Sequence, residues 1–299
     1  MRAQDGRRGI FLMALATLVF ALQDGLSRHL ADAANVLVVV TIRYWFFAPF
    51  ALLLARARSG SLRAALRTRH PLAQGARGLL LAFEICAMVL AFTLLGLVES
   101  HAVFTVSPLL VAALSVPLLG ERVGWRRWLA IGLGFAGVLV ILSPGSGALR
   151  AEALVPLVAA TAWALYNVLT RLVARDDGAM ASFAWTGLVG ALAMTPLGLL
   201  AWEPMAARDW ALMGLLCLTS VLGHWLLIRA YELAEASAVQ PFAYLQLVFA
   251  SAVGVAAFGE ALAPQVALGA AIVVGAGLFA LWRERLRARR APPPTEAPT

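Results

Sequence analysis

The sequence predicts an all-α integral membrane protein: ten transmembrane helices as two inverted five-helix repeats. Three observations predict it. Hydrophobic residues fill 62% of the 299 positions and charged residues 13%, too little charge to keep the surface of a soluble domain in water. Apolar stretches of about 20 residues, the length that crosses a bilayer, recur along nearly the whole chain. Two of them read almost alike: Phe20-Ala-Leu-Gln-Asp-Gly-Leu-Ser-Arg28 and Trp163-Ala-Leu-Tyr-Asn-Val-Leu-Thr-Arg171 share an aromatic, Ala-Leu, a polar pair, Leu, a hydroxyl and Arg.

The first span is placed at 9–29. Arg2, Arg7 and Arg8 ahead of an apolar run imitate a signal peptide, but the run passes Leu22 without a clean small-residue cleavage site. It also ends in the repeated motif, so it is kept as a span. The next four are placed at 36–56, 77–98, 101–119 and 125–143, giving a first repeat over 9–143. Spans at 153–174, 180–202, 209–230, 237–259 and 264–283 give a second repeat over 153–284. Residues 285–299 are predicted to be a disordered cytoplasmic tail, with its Arg cluster against anionic lipid headgroups. Connections are short except the one between Arg56 and Arg77.

Further correspondences join the halves. Leu97-Val-Glu-Ser100 resembles Leu233-Ala-Glu-Ala236, each predicted in a short link, and Leu119-Gly120-Glu121 resembles Phe258-Gly259-Glu260. Five spans per half is an odd number, so the halves lie in opposite orientations. That arrangement suits alternating access, with a site where the halves meet.

Charge sets the orientation. The chain has 24 basic residues, all Arg. Only Arg28, Arg150 and Arg208 fall on one side and Arg43 lies within a span; the rest, Arg77 among them, lie on the other side, with both termini. The positive-inside rule makes that side the cytoplasm. The net charge of +8 therefore addresses a lipid bilayer and not nucleic acid, since no single basic face forms. Cys86 and Cys217 both lie in apolar segments, which gives no disulfide framework.

Ten helices, an inverted five-plus-five repeat and a Gly-Glu pair closing the fourth helix of each half resemble the drug/metabolite transporter superfamily, in its EamA-type branch, over about residues 9–284. The segment from Glu235 to Gln246 resembles bacterial members that export amino acids, aromatic ones included. The resemblance implies a multi-pass protein of the bacterial inner membrane, monomer or homodimer. It implies an exporter of amino acids or similar small molecules, without ATP hydrolysis or cofactor. Other amphipathic metabolites or drugs are the alternative; a membrane-embedded enzyme or a scramblase stands further off.

Candidate site residues follow from polar side chains that lipid cannot satisfy. Phe20, Gln23, Asp24 and Ser27 share one face of the first span, as Trp163, Tyr166, Asn167 and Thr170 do in the sixth. These faces either line a cavity or join helices by hydrogen bonds. Arg43 lies two turns into the second span, where an unpaired charge costs on the order of 3 kcal/mol. Asp24 is its expected partner, with Arg28 competing for that carboxylate, in a structural pair or a gate. Glu84 and His224 are candidates for the pocket and for a proton relay, against a His224 bonded simply to Ser220, four residues earlier. On the ninth span Gln240 and Tyr244 share a face, with Gln246 displaced round the helix. Pro241, and Pro108 in the first half, free backbone carbonyls there, as a kink or as part of a transport site.

Gly132-Leu-Gly-Phe-Ala-Gly137 matches a dinucleotide-binding pattern but lies inside an apolar span without the strand that pattern needs. Its glycines are expected to bring helices close, as are Gly269, Gly275 and Gly277. No P-loop, nucleophile elbow, His-Glu-x-x-His or Cys-x-x-Cys occurs, so neither enzyme chemistry nor a metal site is expected.

Overall fold

The computed structural model describes residues 6–120, 124–142, 151–233 and 240–290, and every regular element among them is helical. Helix α1 spans Gly6–Ala33, α2 Val36–Ser59, the short α3 Leu62–Ala65, α4 Pro71–Phe104, α5 Ser107–Leu119 and α6 Trp125–Leu142. A 3-10 turn at Ala151–Ala153 leads into α7, Leu154–Val173, followed by α8, Ala179–Leu200, and α9, Ala207–Leu233. A second 3-10 turn, Gln240–Tyr244, precedes α10, Leu245–Phe258, and α11 covers Pro264–Arg290. Six helices (α1, α2, α4, α7, α8 and α9) are long and apolar enough to cross a membrane, and four shorter apolar helices lie at 107–119, 128–141, 242–258 and 264–279.

Local chemistry sets the breaks. Asn35 caps α2 by accepting from the Leu37 amide at 2.9 Å, and Ser61 caps α3 by accepting from Ala64 at 3.1 Å, satisfying amides that a helix start leaves orphaned. Both glycines of the recurring Gly-Glu pairs end their helices in the left-handed region, Gly120 at φ 69° and Gly259 at φ 65°. Only glycine takes that cap without cost from a Cβ. The Gly-Glu pairs are therefore helix stops; Glu121 itself lies outside the described residues.

Three expectations about the elements need correction. Leu97–Ser100 is not itself a link: the break falls one residue earlier, at Gly96 (φ 83°, ψ 174°), where one helical stretch of α4 gives way to a second that runs to Phe104. A single glycine, free to take positive φ, ends one stretch and starts the next with no linker between them. Arg77, counted with the loops, lies within α4 and is 2% exposed. Residues 285–290, expected in a disordered tail, continue α11, since nothing before Pro292 breaks the helix. Residues 291–299 and the expected link Leu233–Ala236, from Ala234 on, lie outside the described residues.

The longest pairings run between α1 and α9, α4 and α7, α2 and α8, and α6 and α11. Next come α1 against α10 and α4 against α8, then α5 against α7, followed by α4 against α10 and α1 against α4. Small residues permit the closest of these approaches. A Cβ on Gly137 of α6 would stand 2.8 Å from the Gly269 carbonyl of α11, and one on Gly269 would stand 2.6 Å from the Gly137 carbonyl. The glycines of the dinucleotide-like pattern serve helix contact here. Large apolar side chains such as Leu53, Leu192 and Trp282 stay exposed, as expected of faces turned to lipid.

Candidate functional site

Between α2, α4 and α9 the bundle leaves a small cavity of about 20 Å³, lined by Arg43, Tyr44, Phe47, Leu81, Ile85, Ser220 and His224. His224 Nδ1 lies 2.8 Å from the Ser220 carbonyl oxygen. A carbonyl only accepts, so Nδ1 carries the proton and Nε2 is left as the acceptor in the neutral ring. Phe20 meets that imidazole edge-on, with centroids 5.3 Å apart, and Phe47 lies 5.7 Å away. Phe20 can come so close because Gly223 faces it; a Cβ there would stand 2.6 Å from the Phe20 ring.

Arg43 and Glu84 are both buried, 9% and 7% exposed. Glu84 lies within electrostatic reach of Arg43 and of Asp24. Among the described residues, neither Arg43 nor Glu84 makes a hydrogen bond or an ion pair. The expected Arg43–Asp24 pair is therefore absent, and the reason is that Asp24 is already engaged. Its Oδ2 accepts from Gln246 Nε2 at 2.9 Å and stands 3.1 Å from His101 Nε2. Arg28, the competing partner, pairs with Glu260 instead. Glu84 and His224 share no hydrogen bond, so the relay joining them is not formed; His224 takes the Ser220 carbonyl.

From Asp24 a chain of rings crosses the bundle. His101 stacks on Phe92 (5.3 Å, 25°), Phe104 lies 6.5 Å from His101 and 6.4 Å from Trp163, and Trp163 stacks on Tyr166 (5.4 Å, 24°). Arg77 covers the far face of this chain, its guanidinium 5.0 Å from the Tyr166 ring, and Nε donates to Thr170 Oγ1 at 2.8 Å. The two repeated motifs thus contribute Asp24 on α1 and Trp163 and Tyr166 on α7 to one continuous layer.

The remaining candidates sit as follows. Gln23 is buried with its Oε1 unpartnered, and Asn167 donates back to the Trp163 carbonyl at 2.8 Å within its own helix. Tyr244 is apart from the layer, its hydroxyl packed on Gly277 of α11. Pro108 starts α5 after the Thr105–Val106 break, and Pro241 falls in the 3-10 turn before α10.

Two clusters escaped sequence reasoning. At one end of the bundle, Glu260 accepts from the Leu97 and Val98 amides, 2.8 Å each, and from Arg28, whose guanidinium also lies 4.2 Å over the Phe258 ring. One carboxylate thus satisfies amides freed by the Gly96 kink and ties α1, α4 and the end of α10 together. At the other end, Asp177 in the α7–α8 link accepts from Thr68, from the Arg69 amide (2.9 Å) and from Gln74 (2.9 Å). Burial works to raise the Asp177 carboxyl, and the hydrogen bonds from Thr68, Arg69 and Gln74 overcome it and hold the group below the ordinary carboxylate value. Asp176 is likewise held low, chiefly by the hydrogen bond with His70 at 2.7 Å. The signal for both clusters was only a polar residue near a helix end, which ordinarily marks a cap.

A family model for EamA-like transporters matches residues 7–143 and again 150–282. The chain belongs to the EamA-like transporter family. It is 25% identical to the S-adenosylmethionine uptake transporter of Rickettsia prowazekii over 277 residues, 93% of each chain. It is 31% identical to the riboflavin transporter of Rhizobium johnstonii over 232 residues, 76% of each. One crystal structure superposes with a TM-score of 0.62 at 19% identity, covering 97% of this chain and 100% of that one; that likeness concerns the fold alone. As an EamA-like protein this chain is a membrane transporter for a small molecule, and the multi-helix bundle is its membrane-embedded body.

Proposed function

We propose that this chain is a secondary transporter of ten spans in two inverted repeats, working by alternating access in a bacterial inner membrane with both termini cytoplasmic. It acts as a monomer or homodimer on small metabolites that carry a flat ring and charged groups. The observation that carries the reading is the cavity itself. Helices from both proposed halves, α2 and α4 with α9, enclose it, and Arg43 lines it, buried and, among the described residues, without a hydrogen bond or ion pair. Buried charge without a partner inside a membrane protein is the usual mark of a substrate pathway. The chain of rings from Phe104 to Tyr166 beside it suits stacking of a planar solute.

Support for the repeat comes from the double match of the family model and from the helix pairings. Exchanging α1, α2, α4, α5 and α6 with α7, α8, α9, α10 and α11 turns α1–α9 into α4–α7 and α1–α10 into α5–α7, and leaves α2–α8 and α6–α11 unchanged. The relatives named for S-adenosylmethionine and riboflavin transport both handle ring-bearing metabolites; aromatic amino acids fit the same description. Small-molecule sites typically enclose roughly 300–1,000 Å³, whereas the cavity here has room for little more than a water molecule, about 20 Å³, so it must widen to admit such solutes.

Reconstitution in proteoliposomes tests the reading. Radiolabelled S-adenosylmethionine, riboflavin, tryptophan and phenylalanine are offered in turn, in both directions. Saturable flux of at least one, competed by its unlabelled form, is the expected result. Fluxes that rise linearly with concentration for all four would favour a channel or scramblase and defeat it.

A further inference from the structure

Asp24 is a carboxylate inside the bundle with no cation fixed to it. Arg28, one turn along α1, is tied to Glu260, and Arg43 makes no ion pair among the described residues. What meets Asp24 is an imidazole. His101 Nε2 on α4 stands 3.1 Å from Asp24 Oδ2, with 5% of the His101 and 16% of the Asp24 side chain exposed. That nitrogen is out of line for a good hydrogen bond and has no other partner. Gln246 of α10 donates to the same carboxylate oxygen at 2.9 Å. The other imidazole–carboxylate contacts among the described residues are open, at helix ends: His29 near Asp209 is 48% exposed and His70 near Asp176 is 34% exposed. Around the buried pair, Glu84 of α4 lies within electrostatic reach of Asp24, and Arg43 of α2 within reach of Glu84. His224 of α9 packs on Phe20 and is bonded to the Ser220 carbonyl. Tyr166 of α7 lies under Arg77, and Tyr244 packs on Gly277. Helices α5, α8 and α10 carry no titratable residue.

An ionised carboxylate without a cation is costly in a membrane interior. One proton answers it in either of two ways. On Asp24 it gives a neutral acid beside a neutral imidazole; on His101 it gives an imidazolium against the carboxylate. Aligning the two halves on their shared motifs puts Asn167 in the place of Asp24 and Ser237 in the place of His101, and neither side chain titrates. Helix α1 packs on α4, whereas among the described residues α7 makes no comparable pairing with α9. The exchanged conformation of an inverted repeat would bring α7 to α9 and part α1 from α4, leaving Asp24 and His101 without one another. We propose that Asp24 and His101 are a proton site, assembled in this conformation and dismantled in the exchanged one, through which a proton gradient drives the transport cycle. The proposal rests on the alternating-access reading and deepens it by naming the coupling ion. A proton bound by one conformation alone favours that conformation at low pH and releases it as pH rises.

The first measurement needs no solute. Leu97 is 0% exposed and its amide is held by Glu260, so a cysteine there reacts only when this end opens. In nanodiscs, on a background of Cys86→Ala and Cys217→Ala, maleimide rates at Leu97→Cys are followed from about pH 5 to about pH 8. Dividing by the rate at the exposed Glu203→Cys removes the ionisation of the thiol itself. Coupling between sites typically amounts to about 5- to 150-fold, so the relative rate should rise at least about fivefold with pH. Asp24→Asn and His101→Gln should each flatten the profile; side chains that merely packed would change the rates and leave the slope. A flat wild-type profile overturns the proposal without any variant, and so does a slope that survives in either substitution. The second measurement uses proteoliposomes and the same four solutes under an imposed pH difference. For a solute that is carried, the gradient should drive accumulation by the wild type, and any flux that remains in Asp24→Asn should ignore the gradient. Saturable wild-type flux indifferent to the gradient ends the coupling and spares the transporter. A pH-dependent opening lost in both substitutions, with saturable flux of none of the four, upholds the proton site and unseats the transport reading.

Discussion

Replacing Gly96 by Ala should be among the most damaging single-methyl changes in this protein. Gly96 holds φ 83° and ψ 174°, a region occupied essentially by glycine alone, where another residue costs of order 1–3 kcal/mol. Space is lacking as well: the new Cβ would stand 2.6 Å from Oε1 and 2.7 Å from Cδ of Glu260. That carboxylate cannot swing aside cheaply, since it holds the Leu97 and Val98 amides at 2.8 Å each and the Arg28 guanidinium. Losing one charge-assisted hydrogen bond adds about 1.5–3 kcal/mol, for a total of about 2.5–6 kcal/mol. Gly120 and Gly259 are the internal controls. They also have positive φ, 69° and 65°, but a Cβ on either meets nothing within 4 Å. Alanine there should cost only the backbone term, about 1–2 kcal/mol. Reversible unfolding in mixed micelles, titrated with sodium dodecyl sulfate, measures all three. A Gly96→Ala protein no less stable than Gly120→Ala would refute the reasoning.

Other outcomes follow from the same contacts. An impermeant maleimide on intact cells should label Glu203→Cys and leave Arg63→Cys untouched until the membrane is permeabilised; labelling at position 63 in intact cells would reverse the topology. Trp163→Ala removes the stack on Tyr166, an interaction of about 0.5–1.5 kcal/mol beyond burial. Flux of ring-bearing solutes should therefore fall several-fold in a folded protein, and unchanged kinetics would take Trp163 out of the site. Tyr244→Ala, beside Gly277, should lower stability while preserving the order of substrate preference, which a solute panel reads directly. For Asp177 the folded carboxyl is held below its ordinary value of about 4. Its stabilisation is therefore complete above that value and is lost as pH falls through the folded one. Amide exchange over 62–74, corrected for intrinsic rates, should quicken below about pH 4, and Asp177→Asn should exchange fast already at neutral pH; a flat wild-type profile down to pH 3 would contradict this.

The apolar runs made the helices legible, because length and the absence of charge suffice to mark a segment that can live in lipid. Boundaries were less legible where one residue did the work. Gly96 kinks α4 inside a run whose hydropathy never drops, so the break was placed at Leu97–Ser100 instead. The site was legible in its parts and not in its pairings. Asp24, Arg43, Glu84 and His224 stood out as polar groups in apolar surroundings, but spacing along one helix says nothing about which neighbour faces them. Asp24 turns to His101 and Gln246, some 77 and 222 positions away. His101 itself drew no notice, since it lies close to the place where a link was expected. Arg28 was read as a loop charge, and only the folded chain shows Glu260 waiting for it.

The same latch bears on how the proposed halves move. Under exchange of the halves, the pairing of α1 with α4 should have a counterpart in α7 with α9, and α4 with α10 a counterpart in α9 with α5. Among the described residues no counterpart of similar extent is formed. These two pairings meet where Glu260 ties Arg28 to the kink at Gly96. An inverted-repeat transporter exposes one side at a time because its two halves hold different conformations of one design. On the proposed mechanism, departures from exchange belong at whichever end is shut, and these two lie at this one; α4 against α8 likewise exceeds its counterpart, α2 against α9. By the same correspondence the opposite end has Arg171 and Glu121 in the places of Arg28 and Glu260, with Glu121 outside the described residues. On the proposed mechanism the Arg28–Glu260 tie belongs to one of the two conformations. Arg28→Gln should accordingly shift the balance between them, read as faster cysteine labelling near Leu97, and equal labelling in wild type and variant would detach the latch from the transport cycle.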